Sequence, residues 1–277
     1  MVLLSGEAGI GKSRLLRVVR EQVAREAYTC LEGRCTPYDQ HSAWYPLLAP
    51  LARLRQWGLD DTPAVQLATL QQMVQQCSLL GADIVPSLAV LLGLPFPSPP
   101  ARLPLEPQEQ RQQMLAALLA LLVSCAAQRP LLLILEDLHW GDPSTLELLD
   151  CLVDHDPTAA IYTLVTCRPP FQPAWLGRAH VTPLVLDRLA RLQAETMVRH
   201  VAGQAALPGA VLQHLVAHTD GVPLFIEELT KAVLESGALQ AQTRQVREAP
   251  TGTGVGIPVT RHLTQDRFAS FPGKITA

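Results

Sequence analysis

An eight-residue segment near the amino terminus, GEAGIGKS at residues 6–13, constrains the fold more than any other feature of this sequence. It follows a short apolar run (VLL, residues 2–4) that is typical of a β-strand, and a helical pattern of apolar residues begins near Lys12. The segment matches GxxxxGK[ST], in which glycines let the backbone curl so that its amide groups point at a phosphate. The order strand, loop, helix therefore predicts an α/β fold that carries a phosphate-binding loop.

The loop supplies the first candidate binding residues, and two of them have a distinct chemistry. The Lys12 ammonium is expected to reach the β- and γ-phosphate oxygens of a nucleotide, and the Ser13 hydroxyl is expected to bind Mg²⁺. The positive end of the helix dipole adds to the attraction for phosphate. The residues that we expect to surround the phosphates are Gly6, Glu7, Ala8, Gly9, Ile10, Gly11, Lys12, Ser13 and Arg14.

An acidic pair, Glu136 and Asp137, follows five consecutive apolar residues in LLLILED. By itself, such a pair is more often a strand cap or a solvated turn. Together with an upstream phosphate loop it indicates the second half of a nucleotide site, in which one carboxylate holds the Mg²⁺ and its water shell while the other orients the attacking water. Both residues are therefore candidate catalytic residues, and the pattern alone leaves open which carboxylate has which role.

Four further features have weaker signals. Arg168 ends an apolar strand pattern, where ligands of open α/β sheets bind, so it either senses a γ-phosphate or forms a surface ion pair. His139 is expected to have a turn or core role, and Asp142, with Ser144, to cap the following helix. The segment Gly-Val-Pro that ends at Pro223 is, as bare sequence, only a turn between two helices.

The order of the patterns predicts the domain organisation. Strand and helix patterns alternate over residues 1–186, with a helical insertion at about 37–128, so a parallel sheet flanked by helices is expected there. Residues 187–240 show only helical patterns, the first from residue 187, and are expected to form a C-terminal helical lid subdomain. Residues 241–277 lack periodicity and are expected to be a flexible or truncated tail, and residues 2–4 leave the first strand barely present.

Composition excludes several classes of protein. Hydrophobic residues make up 48% of the 277 residues, which is enough for a sizeable core, and the net charge of −3 disfavours a dedicated nucleic-acid-binding domain. The longest apolar run is too short to span a bilayer, and a secretory signal is missing, so we expect no membrane partner and a cytoplasmic location. The six cysteines lack zinc-ligand spacing and are expected to be free thiols.

Taken together, these motifs resemble the AAA/STAND-type P-loop ATPase module, and most closely the ATPase segment of large bacterial regulators linked to adenylate or guanylate cyclase domains. The resemblance rests on GEAGIGKSRLL, GRCTPYDQHSAWYPLLAPLARL, LLLILEDLHWGDPSTLELL, TLVTCRP and TDGVPLFIEELTKAVLESG, and it covers about residues 2–240. It implies a P-loop NTPase fold, ATP and Mg²⁺ as ligands, and fused cyclase or repeat regions as partners.

The resemblance also implies roles for single residues. Glu136 stands where the Mg²⁺-associated acid is expected, Asp137 where the water-activating acid is expected, and Arg168 at the sensor arginine. Pro223 matches the proline of a GxP turn that packs near the nucleotide and couples it to the lid. Relatives usually carry Asp followed by Glu, so the shorter Asp137 side chain predicts slow hydrolysis in a signalling switch. The rival hypotheses are a non-hydrolysing nucleotide-binding scaffold and an AAA motor ATPase.

Overall fold

A computed structural model describes residues 1–25, 28–54, 61–76, 84–95, 106–154, 159–205 and 207–235. Its centre is one five-stranded sheet in the order β2-β3-β4-β1-β5, in which every neighbouring pair is parallel. The strands are β1 (Val2–Gly6), β2 (Thr29–Arg34), β3 (Leu131–Glu136), β4 (Ile161–Cys167) and β5 (Thr182–Leu186). The predicted α/β class with a parallel sheet flanked by helices is confirmed.

Burial explains the positions of the strands within the sheet. In β3, the first five of the six residues are buried, as expected for a strand that is covered on both faces. The expectation of a barely present first strand is wrong, because β1 has five residues and lies between β4 and β5. Val2 pairs with both Leu164 and Thr182, so few residues suffice when both edges of a strand are hydrogen-bonded.

Nine α-helices lie within the described residues, and four of them occupy the expected insertion. The helices are α1 (Lys12–Val23), α2 (Tyr45–Leu54), α3 (Pro63–Gln76), α4 (Ile84–Leu91), α5 (Pro107–Gln128), α6 (Pro143–Asp154), α7 (Arg191–Ala202), α8 (Gly209–Thr219) and α9 (Pro223–Glu235). A 3-10 turn, Leu138–Trp140, follows β3.

The core has two parts because successive residues of β3 point to opposite faces of the sheet. Leu133 and Leu135 belong to the large cluster that the insertion helices α2–α5 complete together with α6. Leu132 and Ile134 face the other way and pack against Leu16 of α1. The phosphate loop therefore connects a central strand to the helix that covers one face of the sheet.

Two local predictions have different outcomes. The cap at α6 is confirmed, since the Asp142 carboxylate accepts hydrogen bonds from the backbone N–H groups of Ser144 and Thr145, both at 3.0 Å. The expected helix from residue 187 is wrong in its start, because α7 begins at Arg191. The preceding connection instead makes its own contacts, one of which runs from the Leu189 N–H to the Gly221 carbonyl oxygen at 2.8 Å.

Contacts divide the chain into two compact units, Met1–Thr230 and Lys231–Ala277. Only the end of α9 represents the second unit within the described residues, and the expected tail at 241–277 lies outside them. The predicted boundaries after residues 186 and 240 stay predictions. None of the described helices combines the length and the apolar character that a membrane crossing needs. None of the five cysteines within the described part of the chain forms a disulfide bond, and Cys77 lies outside it.

Candidate functional site

The phosphate loop connects the carboxyl end of β1 to the amino end of α1. Two of its glycines have positive backbone angles, with φ +75° at Gly9 and +105° at Gly11. Residues with a β-carbon rarely adopt this conformation, so these positions explain why the loop needs glycine. The Gly11 carbonyl oxygen accepts the hydrogen bond of the Leu15 N–H at 3.1 Å, which starts α1 at the loop.

The Lys12 side chain folds into the loop and is only 8% exposed. Its Nζ donates hydrogen bonds to the carbonyl oxygens of Gly6 at 2.7 Å and Glu7 at 2.9 Å. Burial lowers the pKa of Lys12, the nearby Arg168 charge lowers it further, and Asp137 opposes both effects. A partly desolvated ammonium that is held by backbone oxygens is well prepared to receive an anion.

Ser13 and Glu136 bring the loop and β3 together. The Ser13 hydroxyl donates a hydrogen bond to Glu136 Oε2 at 2.7 Å, across 123 positions of sequence. A hydroxyl and a carboxylate are the hard oxygen ligands that Mg²⁺ takes in sites completed by substrate phosphates and water. Among the described residues there is no cluster of three or more His, Cys, Asp or Glu that could hold a metal ion by itself. The donor set fits Mg²⁺ bound together with a nucleotide.

Asp137 stands directly after β3 in the left-handed region, with φ +56°. Its N–H donates to Thr166 Oγ1 of β4 at 2.9 Å, which fixes the backbone at this point. Its carboxylate accepts a hydrogen bond from Arg34 Nη2, with 3.1 Å between Nη2 and Oδ2. Arg34 had no predicted role, although its position in GRC, at the carboxyl end of a strand pattern, is one where ligands of parallel sheets bind.

Three arginines make this end of the sheet positive. Arg168 follows the last residue of β4 and lines the same cavity as Arg34 and Arg14. Within the described ranges no ion pair of Arg168 is found, and both of its expected roles stay predictions. Converging guanidinium groups of this kind are suited to a polyanion such as a triphosphate.

The cavity at this site has a volume of about 1020 Å³. Its first wall is the phosphate loop, and its second wall is formed by the strand-end residues Arg34, Asp137 and Arg168. The third wall is one face of α7, together with the start of α9 at Pro223 and Leu224. Sequence reasoning missed the α7 residues, which are Leu192, Gln193, Thr196, Met197, His200 and Val201. Their signal was the i, i+4 spacing of Met197 and Val201, which places both side chains on one face of the helix.

The start of α9 contacts the phosphate loop directly. The Leu224 N–H donates a hydrogen bond to the Gly9 carbonyl oxygen at 3.1 Å. A β-carbon at Gly9 would lie 3.0 Å from Leu224 Cβ, so the two segments approach as closely as a glycine allows. Pro223 is the first residue of α9, where its missing N–H costs no helical hydrogen bond.

Comparisons with known proteins agree with this geometry. The model of a family described as AAA ATPase domain matches residues 1–165, which is more than half of the chain. The chain belongs to this AAA ATPase family. An uncharacterized protein of Rhizobium meliloti (strain 1021) is 28% identical over 301 residues, which cover 96% of this chain and 29% of that protein. The chain thus spans less than a third of the length of this relative.

Two solved structures are similar to parts of this chain. Cdc6p from Pyrobaculum aerophilum is 16% identical, with a TM-score of 0.48 over 88% of this chain and 56% of that chain. A STAND protein with a tetratricopeptide repeat sensor from Pyrococcus horikoshii is 15% identical, with a TM-score of 0.38 over 81% of this chain and 26% of that one.

Some predicted site residues of the AAA ATPase domain lie behind the cavity wall. Ile10 is buried, and its Cγ2 would lie 2.8 Å from a β-carbon at Gly6, so its side chain supports the loop from below. Glu136 accepts a hydrogen bond from Ser13, which lines the cavity, and the Glu7 side chain binds Arg188. His139 lies in the 3-10 turn after β3. Both of its buried ring nitrogens lack hydrogen-bond partners among the described residues.

Proposed function

We propose that this chain is a Mg²⁺-dependent ATP-binding module whose slow ATP hydrolysis resets a switch in a larger regulator. The observation that carries the proposal is the 2.7 Å hydrogen bond from Ser13 to Glu136, because it joins the phosphate loop to the acidic strand end. Lys12, held by two loop carbonyl oxygens beside this pair, adds the positive charge that phosphates need.

Each residue of the site then has a role. Lys12 holds phosphate oxygens, Ser13 and Glu136 hold Mg²⁺, and Arg168 binds the terminal phosphate from the end of β4. Mg²⁺, when bound, neutralises charge that develops on the phosphate oxygens. Asp137 is the carboxylate that remains to orient a water molecule and accept its proton. The amide groups of the loop residues Gly9 and Gly11 complete the phosphate cradle.

The hydrolysis step is expected to be slow for two reasons. Asp137 reaches less far into a site than Glu would. Its carboxylate is also engaged by Arg34, and it is only 15% exposed, so orienting a water requires this ion pair to rearrange. The same ion pair favours a second candidate function, a nucleotide-binding scaffold that does not hydrolyse ATP.

The switch part of the proposal rests on the contact between the loop and α9. A nucleotide that orders the phosphate loop is expected also to hold Pro223 and the helices of the predicted lid, and hydrolysis would release them. The greater length of the Rhizobium meliloti relative supports fused signalling regions, such as cyclase or repeat domains, as the partners that respond. We place this module in the cytoplasm and expect no direct nucleic-acid contact.

Binding of a fluorescent ATP analogue with Mg²⁺ to the purified chain tests the proposal. Lys12→Ala should abolish binding while circular dichroism stays unchanged, because it removes the charge that faces the phosphates. Arg17→Ala is the matched control, since Arg17 is an exposed cation on the same helix that pairs with Glu21. Equal affinity of Lys12→Ala and wild type would refute the assignment of the loop.

Single-turnover hydrolysis of bound ATP then separates the candidate functions. Slow conversion of bound ATP to ADP supports the switch, and complete retention of ATP supports the scaffold. Fast turnover that depends on protein concentration would indicate an assembled motor instead.

A further inference from the structure

Arg188 forms an ion-pair bridge between two segments that border the site. Its Nε and Nη2 donate to Glu7 Oε2 at 3.0 and 2.8 Å, and Glu7 belongs to the phosphate loop. Its Nη1 donates to Asp220 Oδ2, and Asp220 ends α8 directly before the turn that leads into α9. One guanidinium thus holds two carboxylates that are 213 positions apart, by their residue numbers of 7 and 220.

The charge of Glu7 makes this bridge significant for an anion site. Glu7 carries a negative charge next to Gly6, in a loop whose predicted ligand is itself an anion. Without Arg188, Glu7 would repel phosphates, and it would also repel Asp220. With Arg188 in place, both carboxylates are compensated and the two segments are drawn together.

Backbone contacts around the bridge join the same segments. The Leu189 N–H, next to Arg188, donates to the Gly221 carbonyl oxygen at 2.8 Å, next to Asp220. On the loop side, the Leu224 N–H reaches the Gly9 carbonyl oxygen at 3.1 Å. The loop, the connection after β5 and the turn before α9 therefore form one continuous network of direct protein contacts.

We propose that Arg188 is a positioning residue, which links the phosphate loop to the turn before α9 and compensates the Glu7 charge beside the phosphates. This inference deepens the proposed function and rests on it for its nucleotide part. It assigns the coupling between loop and helices to direct contacts within the protein, in addition to any contact of Pro223 with a nucleotide.

Hydrogen exchange of the full chain without nucleotide tests the link. Arg188→Ala should speed exchange about three- to tenfold in peptides of both the loop (residues 5–14) and the turn (residues 219–226), which is about the upper end of what two exposed ion pairs supply together. Arg191→Ala is the matched control, because Arg191 lies three positions away and, among the described residues, pairs with Glu195 of its own helix at 3.2 Å. It should leave both peptides within twofold of wild type.

Dissociation of the fluorescent ATP analogue tests the charge compensation. Arg188→Ala should release the analogue about three- to tenfold faster than wild type. Adding Glu7→Gln to Arg188→Ala should restore slow release, because the uncompensated carboxylate is gone, whereas exchange at the turn should stay fast because the link is still missing. A purely structural defect would not be rescued by Glu7→Gln.

Three results would overturn the proposal. They are exchange in Arg188→Ala that equals the Arg191→Ala control, exchange that rises in only one of the two peptides, and release of the analogue that Glu7→Gln does not slow. A wild-type chain that fails to bind the analogue would refute the proposed function instead, and the exchange comparison would still decide whether Arg188 forms the link.

Discussion

Replacing Gly221 by alanine probes how tightly the turn before α9 is held. Gly221 has φ +72°, and a β-carbon there would lie 2.4 Å from the Leu189 carbonyl oxygen and 3.1 Å from its nitrogen. The clash is with backbone rather than with the end of a flexible side chain. The turn must therefore shift by several tenths of an ångström or more, which stretches the 2.8 Å hydrogen bond between Leu189 and Gly221.

The expected loss of stability is the sum of two terms. The left-handed conformation costs a residue with a β-carbon about 1–2 kcal/mol. Loss of the backbone hydrogen bond adds about 0.5–1.5 kcal/mol. We therefore expect Gly221→Ala to lower the free energy of unfolding by about 1.5–3.5 kcal/mol.

Gly93→Ala is the matched control because Gly93 also has positive φ, +65°, but no atom of the described residues lies within 4 Å of the place that its β-carbon would take. It should show the conformational cost alone, about 1–2 kcal/mol. Urea unfolding followed by circular dichroism measures both variants, with the midpoint and slope compared with wild type. If the two variants lose equal stability, the close approach of Gly221 to Leu189 is refuted.

Three further predictions concern the site and its surroundings. Asp137→Asn should bind ATP but hydrolyse it at least about 100-fold more slowly than wild type, while Glu136→Gln should weaken the Mg²⁺ dependence of binding. A wild-type single-turnover rate for Asp137→Asn would refute its role as the general base. Burial lowers the pKa of His139, so the unfolded chain takes up this proton more readily, and stability falls as pH drops below about 6.5. His139→Gln should flatten that dependence in urea titrations, and an unchanged pH dependence in this variant would refute the assignment. Pro223→Gly should reduce the protection that Mg·ATP brings to α8 and α9 in hydrogen exchange, and equal protection in both proteins would make the turn a simple connector.

Local sequence patterns by themselves determined the phosphate loop, the covered strand before Glu136 and the α/β class of this protein. The loop at residues 6–13 was recognisable because its glycines, lysine and serine act through neighbouring backbone, and its flanking strand and helix are short-range features. The buried run before Glu136 predicted a covered strand of the sheet for the same reason, since continuous apolar character is typical of strands with two covered faces. The α/β class followed from the alternation of such patterns.

The tertiary structure decided which distant side chains meet. Sequence reasoning grouped Ser13 with Glu136 only through a motif, and it had no basis for joining Arg34 to Asp137 or Arg188 to Glu7, because charged surface residues carry no periodicity that names a partner. The start of α7 at Arg191 likewise depended on a distant contact, from Leu189 to the Gly221 carbonyl oxygen, which gives the preceding backbone an alternative to the helix. Interactions between adjacent residues can be predicted from the sequence. Ion pairs and backbone contacts between distant segments form only after the parallel sheet has brought the strand ends together.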